Sequence, residues 1–147
     1  LCRVLRAKLA QAEGVPTEHI LCGNGAADLI FRLVLALLPR RALLPAPTFA
    51  EYAAALQTVN CTITYSVLDE ATDFAVTDAF IDAVGQDTDI VFLCQPNNPT
   101  GRITPPALVE KLLRRCTASG AVLAVDECFL DFAAGREALT AKAFLQE

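Results

Sequence analysis

Pro96-Asn97-Asn98-Pro99-Thr100-Gly101 decides the fold of this 147-residue chain. The segment before it, Asp89-Ile90-Val91-Phe92-Leu93-Cys94, is a short continuous apolar run that reads as a buried strand. Pro96 stops that strand, because proline cannot donate to a sheet ladder. Pro-Thr-Gly is turn chemistry. The two asparagines therefore sit on a loop at the carboxyl end of a strand, where open α/β sheets bind their ligands. Taken alone, the cluster is equally well read as a polar turn.

Working outward, strands and helices alternate. On the amino-terminal side, 1–12 has helical apolar spacing and is ended by Gly14-Val15-Pro16. Ile20-Leu21-Cys22 reads as a short strand entering the Gly23-Asn24-Gly25 turn. Residues 26–38 are apolar nearly all round, which predicts a buried helix. A strand is expected over 42–46, a helix over 49–59 capped by Thr48, and a strand over 61–68. A helix over 77–84 has Thr77 as its N-cap.

Beyond the Asn-Asn loop, Thr104-Pro105-Pro106 opens a helix with Thr104 as its N-cap, proline in the first turn, and Leu108, Val109, Leu112, Leu113 and Cys116 on one side. Gly120 ends it, and Ala121 to Val125 is the next strand. This alternation implies right-handed crossovers and a mostly parallel sheet, a three-layer α/β/α fold. Continuous apolar strands fit a sheet covered on both faces.

Composition narrows the function. Hydrophobic residues make up 54% of the chain, enough for a core. A net charge of −5 gives no footprint for nucleic acid. The six cysteines form no C-x-x-C pair and His19 is the only histidine, so no metal site is expected. Reduced, space-filling thiols point to the cytoplasm. Leu29 to Leu38 is too short to span a bilayer, and no membrane role is expected.

Each remaining motif carries two readings. Gly23-Asn24-Gly25 closes a strand and opens a helix, so it is either an ordinary turn or a phosphate cradle of backbone N–H groups. Asp28 stands where a dinucleotide fingerprint needs glycine or alanine. Phe49 and Tyr52 lie three apart on a helix and read as core, or Phe49 supplies a flat partner for a planar ligand. Asp126 ends an apolar strand and needs a partner there, whether a turn or a ligand.

Four segments taken together resemble the fold-type I pyridoxal-phosphate enzymes of the aspartate aminotransferase superfamily. They are Gly23-Asn24-Gly25-Ala26-Ala27, Pro47-Thr48-Phe49-Ala50-Glu51-Tyr52, Pro96 to Gly101, and Val125-Asp126-Glu127-Cys128-Phe129. The resemblance implies pyridoxal 5′-phosphate as cofactor, with Gly25, Ala26 and Ala27 holding its phosphate. Alanines at 26 and 27 leave only backbone donors for that task. It places Phe49 against the ring, Asn98 on the phenolic oxygen and Asp126 on the pyridinium nitrogen. It also makes Asn98–Pro99 a candidate cis peptide bond.

Phe129 stands where many members carry a tyrosine that donates to the same phenolic oxygen. Pro-x-Phe-Ala-Glu-Tyr and Asp-Glu-x-Phe-x-Asp-Phe resemble the threonine-phosphate decarboxylase branch of cobalamin biosynthesis. Histidinol-phosphate aminotransferases are the alternative, and a non-catalytic binding module of the same fold is the remoter one. The resemblance further implies an amino-acid substrate, in one case phosphorylated, and a homodimeric parent.

The Schiff-base lysine that the resemblance demands is assigned to none of Lys8, Lys111 and Lys142. Lys8 and Lys111 fall on amphipathic helices, and Lys142 lies in an alanine-rich stretch. Residues 1–147 are accordingly expected to be part of the large cofactor domain, without that lysine or the small domain. No catalytic residue is expected in this segment, which is expected to be inactive alone.

Overall fold

The computed structural model describes residues 2–146 and begins with α1 (Arg3–Glu13) and α2 (Gly25–Leu37). There follow β1 (Arg41–Ala46), α3 (Ala50–Gln57), β2 (Thr62–Val67), α4 (Asp78–Asp82) and β3 (Ile90–Cys94). α5 (Pro106–Ser119), β4 (Val122–Asp126) and the short α6 (Arg136–Leu139) complete it. The four strands form one sheet in the order β2-β1-β3-β4, and every neighbouring pair is parallel. All strand ends that precede a candidate loop thus lie along one rim.

Alternation along the central strands divides the core in two. Ala42 and Leu44 of β1, with Ile90, Phe92 and Cys94 of β3, pack under α2 and α3. Leu43, Val91 and Leu93 point the other way, against α4 and α5. This is the three-layer arrangement that continuous apolar strands call for. β3 is buried at every position, while β2 and β4 are edges and stay half-exposed. Asp89 registers two strands at their starts, its Oδ2 accepting from the N–H groups of Arg40 and Arg41 at 2.7 and 2.9 Å.

α5 forms as its sequence dictates. Pro106 occupies the first turn, Val109, Leu112 and Cys116 are its buried face, and Gly120 closes it at φ 76°. Three expectations fail. Ile20 is extended, but 20–22 pairs with no strand among the described residues, so the segment is a loop. α2 is not buried all round: Ile30 and Val34 are buried, whereas Leu35 and Leu38 are 55% and 62% exposed. An all-apolar helix shows how much surface wants cover, not how much the rest of the fold provides.

The third failure concerns caps. Thr48 and Thr104 cap no helix; Phe49 and Pro105 occupy those positions, and both threonines bind the loop after β3 instead. Thr77 is the N-cap residue of α4, although its side chain makes no capping hydrogen bond. All six cysteines are free thiols; Cys61, Cys94 and Cys116 are buried, whereas Cys2 and Cys128 are exposed. Among the described residues no helix is long and apolar enough to cross a membrane.

Candidate functional site

The loop after β3 is built around two buried amides. Gln95 is 1% exposed; its Oε1 accepts from Thr104 N at 2.8 Å, and its Nε2 donates to the carbonyls of Thr104 and Leu139. Asn97 is as fully engaged. Its Oδ1 accepts from the Thr48 hydroxyl and its Nδ2 donates to Pro47 O and Thr100 Oγ1, each at 3.0 Å. Its own N–H donates to Arg102 O, and its carbonyl accepts from Gly101 N.

Asn97 therefore ties the loop after β1 to the loop after β3. Asn98, its neighbour, is half-buried, and its side chain makes no hydrogen bond among the described residues. One amide is spent on structure, and the other has no such engagement among the described residues. Asn98–Pro99 is cis, as are Ala46–Pro47 and Gln95–Pro96.

Asp126 ends β4 in register with Cys94 of β3, and its carbonyl accepts from Gln95 N at 2.8 Å. Its carboxylate is held from two sides: Oδ2 accepts from the Tyr52 hydroxyl at 2.7 Å, and Oδ1 accepts from Cys128 N at 3.1 Å. Tyr52 is fully buried on α3. Its ring stacks on Phe92 at 4.7 Å between centroids and meets Phe49 edge-on at 5.6 Å. Burial, with Cys94 and Asp126 beside it, pushes the Tyr52 phenol well above the usual tyrosine range. It is a proton donor throughout.

Ala26 at the start of α2 lines one cleft of about 250 Å³ with Phe92 and Asp126. Asn98 and Phe129 line another of about 410 Å³ with Pro99 and Phe132. Phe49 joins the first group through Tyr52. The α2 turn is the loosest part. Gly25 has φ 86°, and the Asp28 carboxylate takes the Asn24 N–H at 2.8 Å while pairing with Arg32. The Asn24 backbone N–H, ahead of Arg32, holds the Asp28 carboxyl below its ordinary value.

No lysine among the described residues lines either cleft. Lys111 pairs with Asp78 and Lys142 with Glu13, the latter in a cleft on the α5 side of β4. Glu127, next to Asp126, points into that cleft too; its carboxylate accepts from Thr140 Oγ1 and Ala141 N at 2.8 and 2.6 Å. Among the described residues no cluster of histidine, cysteine, aspartate and glutamate could hold a metal.

Tyr52, Gln95 and Glu127 are contributors that the sequence does not single out, and the structural task of Asn97 is not separable there from that of Asn98. The signal available for Tyr52 is its i, i+3 pairing with Phe49, which looks the same in any core helix.

The family profile described as Aminotransferase class I and II matches residues 3–147. The chain belongs to that family. Its members are pyridoxal-phosphate enzymes of the kind the four motifs resemble. The chain is 41% identical over 128 residues to threonine-phosphate decarboxylase of Salmonella typhimurium, covering 87% of this chain and 35% of that one. It is 33% identical over 138 residues to histidinol-phosphate aminotransferase of Methanocella arvoryzae, covering 92% and 37%. Among solved structures, a decarboxylase from Sulfurospirillum multivorans superposes with a TM-score of 0.84 at 30% identity, covering 98% of this chain and 42% of that one. The chain thus spans little more than a third of the curated relatives it matches.

The class I and II cofactor fits what is present. A half-buried amide without a partner, a carboxylate oriented at a strand end, an aromatic wall and free N–H groups on the first turn of α2 suit its four recognition points.

Proposed function

We propose that this segment is the cofactor-binding part of a threonine-phosphate decarboxylase, a pyridoxal-phosphate enzyme that removes the α-carboxylate of L-threonine O-3-phosphate. The observation that carries the substrate assignment is the 41% identity to the Salmonella enzyme over 128 residues. Phe129 in Asp-Glu-Cys-Phe-Leu-Asp-Phe supports it, because the common tyrosine is absent.

In this reading each residue has a binding task. Asp126 keeps a proton on the pyridine nitrogen, and Asn98 Nδ2 donates to the phenolic oxygen. Backbone N–H groups of Gly25, Ala26 and Ala27 receive the phosphate, a use the helix N-terminus favours. Phe49 covers one face of the ring. Phe129 contributes a wall without a donor. When bound, the cofactor supplies the electron sink that stabilises charge left on the substrate's α-carbon. The Schiff-base lysine and the substrate's phosphate and carboxylate contacts come from chain beyond this segment, in a homodimer of the cytoplasm.

A histidinol-phosphate aminotransferase is the second reading, supported by the 33% identity to the Methanocella protein. Both would share every residue named above. Assay of the complete enzyme separates them. Carbon dioxide released from L-threonine O-3-phosphate, with no amino transfer from histidinol phosphate to a 2-oxo acid, is the expected result. The reverse pattern would replace the first reading with the second.

A further inference from the structure

Tyr52 combines features that a packing residue does not need. Its ring is fixed on both sides, by Phe92 stacked at 4.7 Å and Phe49 edge-on at 5.6 Å, and it is 0% exposed. Its hydroxyl reaches across 74 positions of sequence to Asp126 Oδ2 at 2.7 Å. A phenol locked in a core cannot follow a moving partner, so the partner must come to it. The second grip on the carboxylate is the Cys128 N–H on Oδ1, from the turn that follows β4. Two fixed donors on opposite oxygens remove the rotation of the carboxylate about its Cβ–Cγ bond. Each oxygen still keeps lone-pair capacity for one more donor.

We propose that Tyr52 is a positioning residue: it holds the Asp126 carboxylate in the one orientation that receives a ring N–H, without itself touching the ligand. Preorganisation of this kind matters because a group held near its working geometry need not be ordered during binding. The same ring contacts Phe49, so α3 delivers the aromatic wall and the carboxylate's orientation as one rigid unit. The proposal rests on the cofactor reading of Asp126 given above.

The test uses the 147-residue chain and pyridoxine 5′-phosphate, which has the ring, the phenol and the phosphate but no aldehyde. It therefore needs no lysine. Tyr52→Phe keeps the stack on Phe92 and removes only the hydroxyl. It should weaken binding of the probe about tenfold, the scale of one lost hydrogen bond to a charged group. Asp126→Asn should weaken it at least as much, and the double variant should bind no more weakly than Asp126→Asn alone. Additive losses would overturn the positioning role while leaving Asp126 as a ligand residue.

A second measurement needs no variant. The chain has two tyrosines, Tyr52 and Tyr65, so ring-carbon labelling gives two resonances. Saturating probe should move that of Tyr52 and leave that of Tyr65, on the edge strand β2, in place. A Tyr52 resonance that does not move on binding would overturn the proposal. No binding by the unaltered chain would remove the cofactor reading and this role together.

Discussion

The loop after β3 and the turn before α2 approach the same rim by opposite means. The first is specified by side chains: Gln95 and Asn97 are 1% and 5% exposed and between them engage Pro47, Thr48, Thr100, Thr104 and Leu139. The second is specified by the absence of side chains. A Cβ on Gly23 would meet the Leu29 side chain at 2.7 Å, and Gly25 has the left-handed φ that glycine tolerates best. Beyond that it has one side-chain hydrogen bond, from Asn24 N to Asp28. In the reading proposed above, an amide donor such as Asn98 needs fixed placement, whereas a phosphate needs several N–H groups and open space, and the two loops suit those separate tasks.

The largest effect should come from the rigid side. In the complete enzyme, Asp126→Ala should lower kcat/KM by at least about 100-fold, the range for losing a preorganised electrostatic partner, while Asn98→Ala should cost about tenfold. Equal losses would mean that Asp126 is no more committed to the ligand than the free amide beside it.

Stability reverses the order within the asparagine pair. Asn97→Ala strands several buried groups and should lower unfolding free energy by about 3 kcal/mol in urea denaturation. Asn98→Ala should change it by less than about 0.5 kcal/mol, since its side chain bonds nothing among the described residues. If Asn98→Ala proved the more damaging, the division between a structural and a ligand-facing amide would be wrong.

On the open side, Gly25→Ala should cost about 1–2 kcal/mol from the positive φ alone. The open space around its Cβ predicts no added clash. A loss several times larger would show the turn to be as tightly built as its counterpart.

The smallest effect concerns Asp28. Its carboxyl ionises below the ordinary value in the folded chain, so its contribution is present above about pH 4 and fades as pH falls through the lowered value. Thermal melts of Asp28→Asn should match the parent chain at pH 2 and lie below it at pH 6. A constant offset across that range would remove the carboxylate from the account.

The same contrast explains what was legible beforehand. β1, β3 and β4 are apolar runs bounded by turn residues, and each lies where such a run predicts, as does α5 with its proline start and glycine stop. Ile20-Leu21-Cys22 has the composition of a strand and no neighbour to pair with among the described residues, a fact no local pattern contains. Thr48 and Thr104 looked like caps because hydroxyls and helix starts commonly meet. Here Asn97 takes the Thr48 hydroxyl, and Gln95 engages the Thr104 backbone. The placement of Asn98, Asp126 and Phe129 came from motif order, whereas Tyr52 on Asp126 depends on a contact between elements far apart in sequence.

β4 carries one more consequence, for anyone handling the chain. It pairs only with β3 among the described residues, and its start, Val122, is 40% exposed. At the other margin of the sheet Val67 is 80% exposed. Unpaired ladders flanked by apolar side chains are templates for adding strands from a second molecule. Concentrated on its own, the chain should self-associate through these margins. A soluble preparation calls for charge at Val122, which stands at the start of β4, at the end of the strand away from the ligand rim.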